Sequence, residues 1–522
     1  MNLRNRNSSS KLKANESSFT RHKGLKFGVA LVAVGGLVLT TSSVMSSSAA
    51  SAPSGQLIIA NAEPISAAYY DPASAFGLVD DQLASLVFDT LLKLDKKGNV
   101  STSLATSYKQ VSKNEVDVVV RTGVKFSDGS ALTPADVVAS INRIFDPKSP
   151  LAHALLGAPG KATASGNTVK IVMDKPFGPL LKSLAEIQIE PVADINSPDN
   201  WKVKPTGSGP YTFVSNENND ITVTANPDYW GTQPLIKTII LRYIEDSQAR
   251  LSALLTGQVD ISTRVGPQEI AAVKGNDSIK VISGQGPPSE IISIWRDSGP
   301  LKNVKVRQAL LHAIDRDAIA KTIQGGMNPV PQNSMPTNMP MYAASSVSYA
   351  YNPKLARSLL KAAGFNNNLK LTMATSTLVP KQTEIDQAII AYLKAVGVSV
   401  KVTQLEVGKF RSSYSNYDMS LNTIATFNDD PSFALGIYAG GIGKAVFGWQ
   451  DAPFDALFAQ QRDTTGTART TAVHAAQNYL WKQARTLVVS DENWVFLVNS
   501  RVKNYERAPL VGEPLITSAS VG

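Results

Sequence analysis

Apolar residues recur along most of the chain at two spacings, every second residue or every third to fourth, and segments of the two kinds follow one another. Residues 56–60 read as a short apolar strand, and Leu83, Leu86, Val87 and Leu91 then fall on one helical face. Strand patterns recur at 116–121, 169–173, 211–214, 221–225 and 239–243. Helical patterns recur at 247–255, 304–314, 353–363 and 383–396, and a strand at 398–403 follows Gly397. The densest local signals lie at 116–144. A β-branched run at 116–121 is followed by an extended segment at 124–126 and by the turn Ser127-Asp128-Gly129-Ser130, in which glycine can take φ > 0. Thr133 suits an N-cap, Pro134 the first helical position and Asp136 the third, while Val137, Val138, Ile141 and Ile144 line one face. Strands mixed with helices imply an α/β fold, and no repeat of roughly 20–50 residues suggests a solenoid. At 522 residues the chain exceeds what one core organises, so two or more lobes are expected.

Hydrophobic content of 43% and charged content of 18% belong to a folded protein. The N-terminus reads as a targeting segment. Arg4, Arg6, Lys11, Lys13, Arg21, Lys23 and Lys26 precede an apolar run from Phe27 to Thr40, with Ser48-Ala49-Ala50 or Ala50-Ser51-Ala52 as cleavage sites. That run is about 14 residues, short of the about 20 a membrane-spanning helix needs, so a cleaved secretory signal is expected and a retained anchor is the alternative. Residues 42–55, rich in Ser and Ala, form the leader's end and a linker. The leader also distorts the charge: seven of 51 Lys and Arg and one of 42 acids lie in residues 1–26, which leaves 44 against 41, a net +3. With no basic run outside the leader, nucleic-acid binding has no support. The absence of cysteine excludes disulfides and thiol catalysis.

Catalytic motifs fail on inspection. Ser358-Leu359-Leu360-Lys361 has the Ser-x-x-Lys spacing but lies inside the amphipathic pattern 353–363, and no Lys-Thr-Gly partner occurs. Gly441-Ile442-Gly443-Lys444 hints at a phosphate loop, but Tyr438 and Ala445 stand where glycine and Ser/Thr are needed, so a flexible loop is expected. His22, His153, His312 and His474 are scattered and offer no metal cage, so neither a metal site nor a cofactor is expected.

Several longer runs carry more information. Thr90-Leu91-Leu92-Lys93-Leu94-Asp95 and Ser103-Leu104-Ala105-Thr106-Ser107-Tyr108 lead into Arg121-Thr122-Gly123-Val124-Lys125-Phe126-Ser127-Asp128-Gly129 and the helix from Thr133. Gly207-Ser208-Gly209-Pro210-Tyr211, Asn226-Pro227-Asp228-Tyr229-Trp230-Gly231 and Leu254-Leu255-Thr256-Gly257-Gln258-Val259-Asp260-Ile261 follow in order. Further on come Pro300 to Leu310 with Ala313-Ile314-Asp315-Arg316, then Tyr351 to Ala356 with Leu360 to Phe365. Together, from about residue 57 to about residue 500, these runs resemble the family 5 solute-binding proteins, extracytoplasmic receptors of ABC importers for peptides, nickel and some oligosaccharides.

The resemblance implies a two-lobed, periplasmic-binding-protein-like α/β fold (type II, large cluster) with an extra subdomain in the first lobe and a hinged ligand cleft. Residues 1–52 would be signal and linker, 53–290 the first lobe, 291–489 the second, and 490–522 the return to the first. It implies a non-catalytic, monomeric receptor that passes a peptide or similar small solute to permease subunits with their ATPases. A secreted hydrolase acting on peptide or glycan material is the alternative, and it needs a nucleophile–base pair or paired carboxylates. Bare nickel is disfavoured by the scattered histidines, a chelate less so. Lacking the lipid-modified cysteine of many Gram-positive relatives, the protein is expected in the envelope or medium without a lipid anchor.

Ligand contacts are likewise implied by position. Glu63, Tyr69 and Tyr70 follow the first strand, where relatives approach the ligand. Trp295 and Arg296 fall where relatives have Phe-Asn-Thr-Gln at the lobe crossover, as stacking plane and carboxylate fork, or else as a packed ring and a paired cation. Phe427, Asn428 and Asp429 precede Asp430-Pro431, and Phe427 replaces the acid that holds a peptide's amino terminus in relatives. Asp429 is a contact or a turn cap, and Asp430 a cap. Trp449 stands in an aromatic segment expected to line the cleft. Trp201, Trp230 and Trp494 are expected to be structural.

Overall fold

The computed structural model describes residues 53–64, 70–73, 78–95, 98–146, 159–197, 199–283, 289–377, 379–426, 429–507, 514–515 and 518–522. Two sheets organise them. A seven-stranded sheet runs in the order Ile279–Ile282, Phe496–Asn499, Ile261–Ser262, Ser54–Asn61, Ile236–Tyr243, Asp220–Ala225 and Tyr211–Glu217. Its central strand Ser54–Asn61 pairs in parallel with Ile236–Tyr243 and with Ile261–Ser262. A five-stranded sheet runs Val398–Gln404, Leu369–Thr375, Met419–Ala425, Ser289–Trp295 and Thr486–Asp491. The chain therefore crosses between sheets twice, after Ile282 and again between Asp491 and Phe496. This is the two-lobed arrangement.

A four-stranded sheet, Ala105–Ser112, Glu115–Val120, Thr168–Met173 and Gly160–Ser165, carries the helix Pro134–Phe145 and its own core. The helix starts as its sequence predicts. The Thr133 backbone N–H donates to the Asp136 carboxylate at 2.8 Å, and Val137, Ile141 and Ile144 are buried. Residues 124–126 are extended, as expected, and pair back across the turn through an isolated bridge from Lys125 to Ala131. The first helix spans Leu78–Val87 and ends before Leu91, which is buried in the core of the four-stranded sheet.

What stops that helix also explains the Gly-Ser-Gly-Pro-Tyr run. The Gly209 N–H donates to the Val87 carbonyl at 2.9 Å. A Cβ on Gly207 would collide with the Val87 oxygen, and one on Gly209 would lie 2.6 Å from the Val87 carbonyl carbon. Only glycine permits this approach. Asp89 behind it accepts from the Trp230 indole at 2.8 Å, and Arg121 lies 4.3 Å above the Trp230 ring, so Trp230 is structural. Residues 441–444 lie in the helix Gly440–Phe447, correcting the expected flexible loop; Gly443 packs so closely that a Cβ there would collide with the Tyr438 carbonyl.

Candidate functional site

The strand ends that face the crossovers bring loops of both lobes together. From the first lobe come Ala62, the Glu245–Arg250 stretch after strand Ile236–Tyr243, and Arg264 to Glu269 after Ile261–Ser262. From the second come Thr377 and residues 379–384, between strand Leu369–Thr375 and helix Gln382–Ala395. They enclose a cavity of about 460 Å³. A smaller cavity of about 30 Å³ lies against the return crossover, lined by Arg264, Lys381, Glu492 and Trp494 among others.

The walls carry both signs of charge. Glu245 accepts from the Tyr243 hydroxyl at 3.1 Å and from Thr377 of the opposite lobe at 3.2 Å. Burial, followed by the hydrogen bond and charge of Glu245, pushes the Tyr243 phenol up to about 12. Glu269 is held by Ser247 at 2.8 Å, Gln248 at 2.6 Å and the Gly266 N–H at 3.0 Å. Arg250 donates to the carbonyls of Ile244 and Glu245 at 2.7 and 2.6 Å. Lys381 pairs with Glu384 at 2.8 Å. Arg264 and Lys381 both have left-handed backbone, φ 52° and 61°, a conformation that costs a non-glycine residue about 1 kcal/mol or more. Sequence reasoning missed Glu245, Arg264, Thr377 and Lys381, because strand-end loops carry no periodic signal.

Of the expected contacts, two lie where the lobes meet. Glu63 is buried and pairs with Arg264 of its own lobe at 3.5 Å and with Arg411 of the other. Asp429 pairs with Lys182, again across the lobes. Asp430 caps helix Pro431–Gly436 through the Ser432 N–H at 2.9 Å and takes Arg469 in a fork at 2.8 and 2.6 Å. Burial pushes the Asp430 carboxyl up, but the charge and hydrogen bonds of Arg469 outweigh it and hold the group below its ordinary range. Tyr69, Phe427 and Asn428 lie outside the described residues.

The remaining candidates are placed elsewhere. Tyr70 is buried in the first-lobe core, bonded to Asn216 at 2.6 Å and 5.2 Å from the Phe213 ring. Trp295 ends strand Ser289–Trp295, about 20 Å along the strand from the crossover at its start. It is 2% exposed, and its indole donates to Ser293 at 3.1 Å. Arg296 donates to the carbonyls of Ala445 and Val446, both at 2.8 Å, at the end of helix Gly440–Phe447, so its partner is a helix terminus and not an acid. Trp449 is 2% exposed, stacked on Phe454 at 5.5 Å and beneath Arg485 at 4.2 Å. Arg296 and Trp449 lie together by the end of helix Gly440–Phe447, but Trp295 packs into a separate core of the second lobe, so the three do not form one platform and the aromatic area is consumed by packing. Trp201 and Trp494 are buried, as expected.

Two sheets joined by two crossovers, with a polar cavity between them, define a two-lobed solute-binding protein. The chain belongs to the bacterial extracellular solute-binding proteins, family 5, whose model matches residues 99–445. The glutathione-binding protein GsiB of Pectobacterium atrosepticum is 27% identical over 456 residues, covering 85% of this chain and 88% of that protein. A dipeptide-binding protein from a Pseudoalteromonas species, solved with Met-Leu, superposes with a TM-score of 0.82 at 19% identity, covering 90% of this chain and 100% of that one. NikA from Staphylococcus aureus, solved with Ni(L-His)2, gives 0.79 at 21% identity, covering 90% and 100%. The protein is thus a solute-binding receptor of the ABC-importer class, acting outside the cytoplasm.

Proposed function

We propose that the protein captures a short peptide or peptide-like zwitterion between its lobes and delivers it to an ABC permease. The cavity of about 460 Å³, walled by both lobes and carrying both charge signs, is the observation that carries this reading. Its size falls within the range of about 300–1,000 Å³ usual for small-molecule sites. Glu245 and Asp246 on the first-lobe wall suit an ammonium, and Lys381 with Arg264 suits a carboxylate. Glu63 and Asp429 hold the closed form together, while Tyr69, Phe427 and Asn428 stay proposed contacts on the family resemblance. The lobes are taken as 53–290 with 490–522, and 291–489, hinged at the two crossovers. A ligand touching both favours closure by its differential affinity.

Thermal melts with glutathione and with Met-Leu, alongside native mass spectrometry of the purified protein, test the reading. A concentration-dependent rise in melting temperature is expected, because a ligand bound only by the native state stabilises it by mass action. No shift with either compound, and no small molecule retained, would overturn it.

A further inference from the structure

Two acids meet at the hinge. Glu290, second in strand Ser289–Trp295, stands directly opposite Asp491, the last residue of strand Thr486–Asp491. The first strand begins where the chain enters the second lobe, and the second ends where the chain leaves it. The register shifts between Ile291 and Ile292, a bulge that sets this pair apart from the rest of the ladder. Glu290 is 3% exposed and Asp491 5%. Asp491 is held by neutral donors, the Thr337 N–H at 3.1 Å and the Thr337 hydroxyl. Among the described residues, Glu290 Oε1 has no hydrogen-bond partner.

Among the described residues, the partners of the pair carry no positive charge. Across the sheet Glu290 faces Ile424. Tyr342 and Tyr438 are the titratable groups that feel its charge, and Arg316 gives its guanidinium to the carbonyls of Pro331 and Val488, both at 3.0 Å. Glu492, next along the crossover, bonds the Thr423 hydroxyl. Burial first, then Asp491, raises the Glu290 carboxyl well above its ordinary range, and burial pushes Asp491 up to about 6. Carboxylates facing each other across a ladder repel, and a buried pair resists carrying two charges.

We propose that Glu290 and Asp491 form a proton-operated element of the hinge: with a proton on the pair the lobes close, and its loss favours the open form, in which water reaches both strand ends. This rests on reading the two crossovers as the hinge. The titration belongs to the pair and not to either residue alone. With one proton linked to closure, the open-to-closed ratio rises up to about tenfold per pH unit above the pair's titration.

Small-angle scattering of the ligand-free protein from pH 5 to 8.5 tests it, with Glu290→Gln and Asp491→Asn alongside. The wild-type radius should grow with pH, and both variants should stay compact. A wild-type radius that does not change, or variants that follow the wild type, overturns the proposal. If Met-Leu compacts the protein equally at every pH, the switch fails and capture stands; a pH-dependent radius with no ligand-induced compaction leaves the switch standing and removes capture.

Discussion

Glu63 sits between two guanidiniums, one from each lobe. Glu63→Gln leaves both cations facing a neutral amide, and we expect the closed form to lose about 2 kcal/mol, read by calorimetry as weaker binding of whichever peptide shifts the melting temperature. Unchanged affinity would remove Glu63 from the closure mechanism. Other single residues act on stability alone. Trp449→Ala opens a hole in a packed core and should cost about 3–5 kcal/mol of stability. Arg296→Ala, which frees two helix-end carbonyls, should cost about 1 kcal/mol of stability in urea titrations, with wild-type ligand affinity.

Among the elements, helix Gln382–Ala395 both borders the cavity and carries a buried acid. Gln382 accepts the Val379 N–H at 3.0 Å, and one turn on, Asp386 accepts from the Thr375 hydroxyl at the end of the neighbouring strand. Burial pushes the Asp386 carboxyl up to about 7. A carboxyl raised in the folded state contributes stability below its unfolded pKa of about 3.9, and that contribution is lost as pH rises through about 7. Asp386→Asn should therefore flatten the stability profile between pH 4 and 7 and gain on the wild type at pH 8, by roughly a few kcal/mol. Parallel urea curves for the two proteins across that range would show that Asp386 does not carry the effect.

For the whole molecule, export and closure are the matters to measure. The N-terminal pattern predicts a chain beginning near residues 50–53 in the medium or loosely on the envelope, with no lipid anchor because the chain has no cysteine. Amino-terminal sequencing of each fraction checks this, and a full-length chain in the membrane fraction would mean that the leader is retained. Among the described residues, no helix is long and apolar enough to cross a membrane.

Local pattern placed the elements it marked, including the capped start at Thr133, because those signals act within a few residues, but of the second-lobe sheet it marked only the strand Val398–Gln404. The glycines of the 207–211 run were legible as a motif, but their cause, the Val87 carbonyl pressed against them, is visible only in the folded chain. The site was less legible. Its cross-lobe contacts join residues far apart in sequence: Thr377 to Glu245 over 132 positions, Lys182 to Asp429 over 247 and Glu63 to Arg411 over 348. Such pairs leave no periodic trace. Trp295 and Trp449 looked like ligand planes in sequence, yet a large aromatic gains most from being enclosed, and only the packing of the second lobe decided that these two are core.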